Sequence, residues 1–492
     1  MRNIIFSLVL IIISCNKVFP QTNPVSVISD PTSLENSLDG MMNDHLKSKH
    51  IADAVVAVVK DGNIHLKKGY GYSDYEKKGP VSPDSTLFRI GSIPKTFTLN
   101  SVMQLTAQVY QWRGPNRNGI IPETGLLKAW PDKGPELLWT FKDLGEGHTS
   151  VGPAKDRLFI TGLEGNRGYL FAFNYNGNLI WKVPYGPEWT ENYIGPRSTP
   201  VVIDDRVYLQ SGYGVVYCIN AGTGKTEWSV DLLKEYGGKK VTWGLVENLL
   251  IVGDKIICTP GGVKNNVVAL NRLTGKLIWS SPGNGRASAY CSSIYVKHNE
   301  TELIITTTDG FVIGIDANTG QAYWHSPQNQ GNHIHANAPL YSNGIIYCAT
   351  EEADSDNGLV ALHLSDDGKK VTQLWRNREF MNLMEGFILR DGLIYGSVYE
   401  AGKWLCIDAK NGSVLHSFSG LGDGIILWAD GLFYCYTKKG EVALVSADRN
   451  AFKIISHFRV PMGDGPHFSH PVIHKGKMYI RHGSALMVYR IS

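Results

Sequence analysis

Between residues 136 and 492 one unit recurs about eight times, at steps of roughly 40 to 51 residues, and a chain with that period is confined to repeat architectures. A tryptophan closes each strong copy (Trp139, Trp181, Trp228, Trp279, Trp324, Trp375), and Phe418 and Phe458 take its place in the weaker late copies. Within a step the grammar is constant. A small-residue strand such as Ser198-Thr199-Pro200-Val201-Val202 comes first, followed by Arg206-Val207-Tyr208-Leu209 and then Val215-Val216-Tyr217-Cys218-Ile219-Asn220. A tight glycine turn then leads into the tryptophan strand. Those turns align at Asn176-Gly177, Thr223-Gly224-Lys225, Thr274-Gly275-Lys276, Asn318-Thr319-Gly320 and Asn411-Gly412, while Asn343-Gly344, Asp391-Gly392 and Asp430-Gly431 mark the earlier turn. Glycine and asparagine tolerate the positive φ that two-strand turns demand.

Four strands per copy with an aromatic on the outermost describe a blade of a β-propeller. The last copy, from Ser469, has three strands, and Glu136 to Phe141 is an orphan tryptophan strand at the front. Lending it to the last blade closes the ring and removes open edges. The expected fold is therefore mainly all-β, an eight-bladed β-propeller with a small incomplete α/β segment before it. Seven blades is the alternative, because the copies after Trp375 are degenerate. Composition agrees: 53 glycines in 492 residues and only 19% charged side chains suit strands and turns. A net charge of +3 provides no electrostatic footprint for nucleic acid.

The repeats, with the lead-in Trp112-Arg113-Gly114-Pro115-Asn116-Arg117-Asn118-Gly119, resemble the quinoprotein-like (PQQ-like) propeller family over residues 112–492. That family includes quinone dehydrogenases and an outer-membrane assembly lipoprotein. The dehydrogenase branch implies an adjacent cysteine pair over the quinone, calcium-ligating acids and often C-x-x-C-H. This chain has neither Cys-Cys nor C-x-x-C; Cys218, Cys258, Cys291, Cys348, Cys406 and Cys435 each sit inside an apolar strand and read as buried thiols. No cofactor is therefore expected, and PQQ with calcium enters by resemblance only. His333 and His335, the acidic run Glu351, Glu352, Asp354 and Asp356, and the late group His467, His470, His474 and His482 match no zinc or calcium spacing.

In a propeller the first strand of each blade lines the central channel, and the residues leading into it face one mouth. Here those positions are polar or aromatic: His148, Arg197, Trp243, Arg286, His335, Glu385, Asp423 and His470. Converging mixed groups at a concave mouth make a ligand or peptide site, against the plainer reading that they hydrogen-bond the blade tops.

The N-terminal region is different in kind. Ile4 to Ile13 is an apolar run after Arg2, too short to span a bilayer, which needs about 20 residues. Its end, Ile12-Ile13-Ser14-Cys15, resembles a lipobox, which implies lipidation of Cys15, export to the periplasm or outer membrane and anchoring without a spanning helix. An ordinary secretory signal cut near Gln21 is the alternative. Residues 34–107 read as a helix, a hairpin and a second helix carrying Ser92-Ile93-Pro94-Lys95. A serine and a lysine three apart on a helix start share a face, so the amine can help deprotonate the hydroxyl. With Gly69-Tyr70-Gly71-Tyr72 before it, this stretch resembles the serine beta-lactamase and penicillin-binding protein family, placing Ser92 and Lys95 on its nucleophile and lysine. The family's second-motif Tyr or Ser and its Lys-Thr-Gly strand are missing, so the segment reads as truncated and Ser92 as idle.

These expectations divide the chain into a leader (1–21), a truncated segment (34–107) and a propeller (112–492). They favour a binding or scaffold protein at the cell envelope, with an envelope protein or small ligand as partner. A quinone-dependent alcohol dehydrogenase and a serine hydrolase acting through Ser92 are the rivals.

Overall fold

The strand-and-turn grammar becomes sheets of four antiparallel strands in sequence order. The computed structural model describes residues 31–48, 53–60, 63–74, 77–86, 111–328, 334–351 and 356–492. The chain divides into two units, Met1–Ala107 and Gln108–Ser492. Among the described residues of the second unit there are eight such sheets, here lettered A (152–187), B (201–231), C (250–281), D (294–327), E (340–377), F (388–418), G (424–459) and H (472–490). Sheet H has only three strands of its own. Its fourth is Leu137–Phe141 from the start of the unit, with Val488 opposite Trp139 and Leu486 opposite Phe141. Sheet G gains a short fifth strand, Ile120–Ile121, parallel to Trp428–Ala429.

Neighbouring sheets share their apolar faces. Phe159 and Leu170 of A pack with Val207 and Leu209 of B, and Leu158 and Ile160 of A pack with Tyr479, Leu486 and Val488 of H. The last sheet thus leans on the first through buried side chains as well as through the borrowed strand. All six described cysteines are free and buried.

The tryptophans explain the glycine turns a second time. Five of the six fourth-strand tryptophans lie over the last turn of the following sheet and donate their indole N–H to a carbonyl there: Trp139 to Tyr175 (3.3 Å), Trp228 to Arg272 (3.1 Å), Trp279 to Ala317 (3.1 Å), Trp324 to Gly368 (3.1 Å) and Trp375 to Ala409 (3.2 Å); Trp181 lies near the equivalent turn at Gly224 without that bond. A Cβ on Gly177 would stand 2.6 Å from Trp139, and one on Gly412 2.5 Å from Trp375. Positive φ and close approach to an aromatic face therefore both select glycine at these turns. Where the tryptophan is lost, other aromatics fill in. Phe418 stacks on Phe452 at 4.8 Å, and Phe458 is covered by Trp130 (5.5 Å) and Tyr489 (5.0 Å).

In the first unit, helix α1 (Pro31–Ser48) accompanies a three-stranded antiparallel sheet of Asp53–Lys60, Asn63–Asp74 and Gly79–Pro80. Met42 packs with Ala54 and Tyr70, and Tyr70 donates its hydroxyl to Asp39 at 2.8 Å. The helix starts earlier than its apolar spacing from Ser37 suggests, and the third strand has no sequence signal of its own.

Candidate functional site

The residues leading into the inner strands tie the sheets into a ring. Ser150 donates its hydroxyl to the His470 carbonyl (2.7 Å), and its N–H to Thr199 Oγ1 (3.1 Å). The Thr199 N–H reaches Asn248 Oδ1 (2.7 Å), the Asn248 N–H reaches Ser292 Oγ (3.1 Å), and Asn337 Nδ2 reaches the Asn382 carbonyl (2.7 Å). Buried polar groups here are satisfied by the next sheet over, which fixes sheet order by hydrogen bonding as well as by packing.

Inside that ring runs the segment 111–121. Arg113 donates to the carbonyls of Phe387 (3.0 Å) and Ile426 (3.3 Å) and lies 3.3 Å from His470 Nδ1. Trp112 meets the His470 ring edge-on at 4.8 Å and packs with Ile294 and Val296. Arg117 donates to the Asn248 (2.6 Å) and Leu249 (3.0 Å) carbonyls. A stretch that touches the inner edges of sheets C, D, F, G and H lies on the axis. Both guanidiniums are buried, and burial lowers each to about 10, so they remain charged at neutral pH. Glycine is required around Arg113: a Cβ on Gly386 (φ 72°) would stand 2.2 Å from Nη1, and one on Gly119 (φ 76°) 2.4 Å from Nη2.

The eight mouth residues named from sequence fall into separate groups. His148, Arg197 and Trp243 come together around Tyr193, which the sequence reading passed over. Tyr193 is 52% exposed at φ 43° and sits 5.5 Å from Trp243 and 5.5 Å from Phe468; Phe468 lies 5.6 Å from His148. Arg197 donates to the Tyr193 carbonyl at 2.6 Å and also to that of Asn192, which holds the loop. Burial and the charges of Arg481 and Arg197 push His148 down to about 3, so it is neutral. Its ring nitrogens lack a well-formed hydrogen bond, although the Tyr193 backbone lies near enough to favour protonation slightly.

Glu385 and Asp423 form a second group, sharing Lys438 at 3.0 and 3.1 Å, with Glu385 also accepting from the Leu383 and Met384 N–H groups at 3.0 Å each. The remaining three stand apart. His335 is buried and accepts from the Gly310 N–H (3.4 Å), Arg286 lies over the Phe311 ring (5.8 Å), and His470 is covered by Trp112. Cys15, Ser92, Lys95, His333, Glu352 and Asp354 lie outside the described residues.

Residues 166–418, which are 253 of 492, match the family described as outer membrane protein assembly factor BamB. The chain belongs to that family. Residues 38–109 match the beta-lactamase family. Among curated relatives, the BamB of Kangiella koreensis is 24% identical over 178 residues, 35% of this chain and 41% of the relative. Protein flp of Staphylococcus aureus (strain NCTC 8325 / PS 47) is 35% identical over 74 residues, 15% of each chain. The chain thus spans less than half the length of either relative. Among solved structures, BamB of Moraxella catarrhalis aligns with a TM-score of 0.51 at 13% identity, covering 73% of this chain and 100% of that one. A quinohemoprotein alcohol dehydrogenase of Pseudomonas putida HK5 aligns with a TM-score of 0.56 at 13% identity, covering 78% and 80%. At such identity these two likenesses establish a shared fold, mainly all-β and propeller-like, and do not extend to chemistry.

The quinone that the wider resemblance implies does not fit the axis. At the depth of His470, Phe387 and Ile426 the space is taken by Trp112 and Arg113. Arg113 and Arg117 direct their terminal guanidinium N–H groups at main-chain carbonyls, with Gln111 Oε1 also accepting from Arg117, instead of presenting them to a ligand's carboxylates. Among the described residues no three His, Cys, Asp or Glu side chains are placed to hold a metal ion.

Proposed function

We propose that residues 112–492 form an eight-bladed propeller that serves as a binding scaffold at the cell envelope and engages an envelope protein through the mouth built on Tyr193, Trp243 and Phe468. The observation that carries this reading is the axis filled by the chain's own 111–121 segment, which leaves the rim as the recognition surface. One exposed and two half-buried aromatic rings around a half-buried arginine match the composition of interaction hot spots. The membership in the BamB family, with its assembly-factor description, supports an outer-membrane assembly protein as the partner class. The test is a photo-reactive phenylalanine analogue at position 193, with Leu277 on an outer strand as control. An adduct with an outer-membrane assembly protein from position 193 alone is expected. No adduct, or dye-linked alcohol oxidation that depends on added quinone and calcium, overturns the reading.

For the first 107 residues we propose an export leader (1–21) with a lipid on Cys15, and a truncated beta-lactamase-like segment (34–107) in which Ser92 and Lys95 do not turn over substrate. The match of residues 38–109 supports the ancestry. No helix among the described residues is long and apolar enough to cross a membrane. One measurement addresses both points: the intact mass of the native protein after incubation with a β-lactam. The expected mass starts at a triacylated Cys15 and carries no lactam adduct. An adduct that disappears in Ser92→Ala makes the segment a working acyl-enzyme, and a different N-terminus removes the anchor.

A further inference from the structure

The last residue of each inner strand sits where one sheet meets the next, on the side of the ring opposite the mouth. At three junctions a long side chain there crosses to the neighbour. His298 of sheet D is 2.9 Å from Tyr341 Oη and 3.0 Å from the Ser365 carbonyl of sheet E. Arg390 of sheet F lies 4.4 Å over the Trp428 ring of sheet G. His474 of sheet H lies 5.7 Å from the Tyr175 ring of sheet A. In the ladders these three pair with Thr301, Leu393 and Lys477, the first residues of their second strands. At the junction of E and F the same position, paired with Ile345, is Ser342.

Serine is too short to cross. Beside Ser342 lies a cleft of about 840 Å³ between sheets E and F, with Asn118 of the axial segment in its lining. Leu340, Leu389 and Leu393 line it with apolar surface. Its charged groups are unequal in number: Arg390, Lys410 and Arg449 against Asp391 and Asp408. Arg449 is 2.7 Å from Asp408 and Arg390 3.0 Å from Asp391, while Lys410 has no carboxylate within salt-bridge distance among the described residues. A volume within the range of about 300–1,000 Å³ typical of small-molecule sites, an apolar wall and one surplus cation define what would fit.

We propose that this cleft is a second binding site, on the face away from the mouth, for an organic anion with an apolar or aromatic body. The apolar body lies on the three leucines, where water is displaced from both surfaces. The anionic group meets Lys410 and the guanidinium of Arg449, which exchanges a carboxylate contact for the ligand's without leaving water. The site is independent of the mouth: neither lining residues nor charges are shared, so one can fail while the other stands.

The probe is 8-anilinonaphthalene-1-sulfonate, an aromatic sulfonate whose fluorescence rises on transfer from water to an apolar wall, titrated into the full chain. Saturable enhancement is expected. Ser342→Arg, which supplies the missing bridge and fills the space, is expected to abolish it while leaving the thermal midpoint unchanged or raised. Lys410→Glu, an exposed change that spares the packing, is expected to weaken binding at least tenfold, and added salt should weaken the wild type in the same direction. Absence of saturable binding, or binding to both variants as tight as to the wild type, overturns the proposal. If Ser342→Arg fails to fold, Lys410→Glu decides alone.

Discussion

Arg481→Ala is expected to destabilise the second unit by about 3–5 kcal/mol, the cost of stranding several buried hydrogen-bond acceptors, measured as the shift in urea midpoint at constant m. Arg481 is 2% exposed on the middle strand of sheet H. It donates to the Gly483 carbonyl (2.8 Å), Thr149 Oγ1 (2.8 Å), the Thr161 carbonyl (2.5 Å) and the Gly145 carbonyl (3.1 Å). Three of those four acceptors belong to sheet A or the chain leading into it, so this one guanidinium stitches the last sheet to the first. Burial pushes it down to about 9, which still leaves it protonated at neutral pH. Alanine would strand several buried acceptors, each worth about 1–3 kcal/mol unpaired. Lysine should recover less than half, because a single ammonium cannot serve a fork of acceptors. Arg449→Ala makes the contrast: its side chain is 57% exposed on Asp408, and a loss below about 1 kcal/mol is expected. Equal losses at the two positions would mean that Arg481 does not close the ring.

The second large effect concerns the axis. Gly386→Ala should unfold the unit or destabilise it by more than about 3 kcal/mol, since it combines a positive φ with a Cβ thrust into a buried cation. Its Cβ would stand 2.2 Å from Arg113 Nη1 and 2.5 Å from Cζ. Arg113→Ala alone should cost about 2–6 kcal/mol, about 1–3 for each of the Phe387 and Ile426 carbonyls it leaves unpaired. Placed together the two changes should be less harmful than their sum by about 0.5–3 kcal/mol, because the clash has no partner once the guanidinium is gone. Strict additivity in that double-mutant cycle would show that Arg113 does not occupy the position described.

How much of this was legible in advance divides by the reach of each signal. The closing strand at Trp139 was readable because a tryptophan strand without its three partners and three strands without a tryptophan complete each other. The pairing of Val488 with Trp139 answers that expectation. The glycine turns were readable for their φ, but their second reason, contact with the previous sheet's indole, needs two copies brought side by side. Among the mouth residues, Trp243, Arg197 and His148 do meet, yet Tyr193, the most exposed member of that group, carried no positional signal because it lies in the loop before the inner strand. Glu385 and Asp423, read from sequence as two of the converging mouth groups, share Lys438 in a group of their own.

The amino-acid sequence by itself determined the repeat, the four-strand unit, the borrowed strand and the absence of a paired-cysteine motif. All of these rest on local patterns: alternation along a strand, turn residues, and spacing within one copy. Only the tertiary structure decided what fills the axis. Trp112-Arg113 and Arg117 sit in a stretch that reads as a lead-in, and apart from Gln111, which accepts from Arg117, the hydrogen-bond partners of the two guanidiniums lie from 131 to 357 residues away. Most of those partners are backbone carbonyls, which every residue possesses. A side chain whose acceptors are main-chain atoms from distant copies leaves no trace in composition or period, so its role emerges only when the ring brings those carbonyls around it.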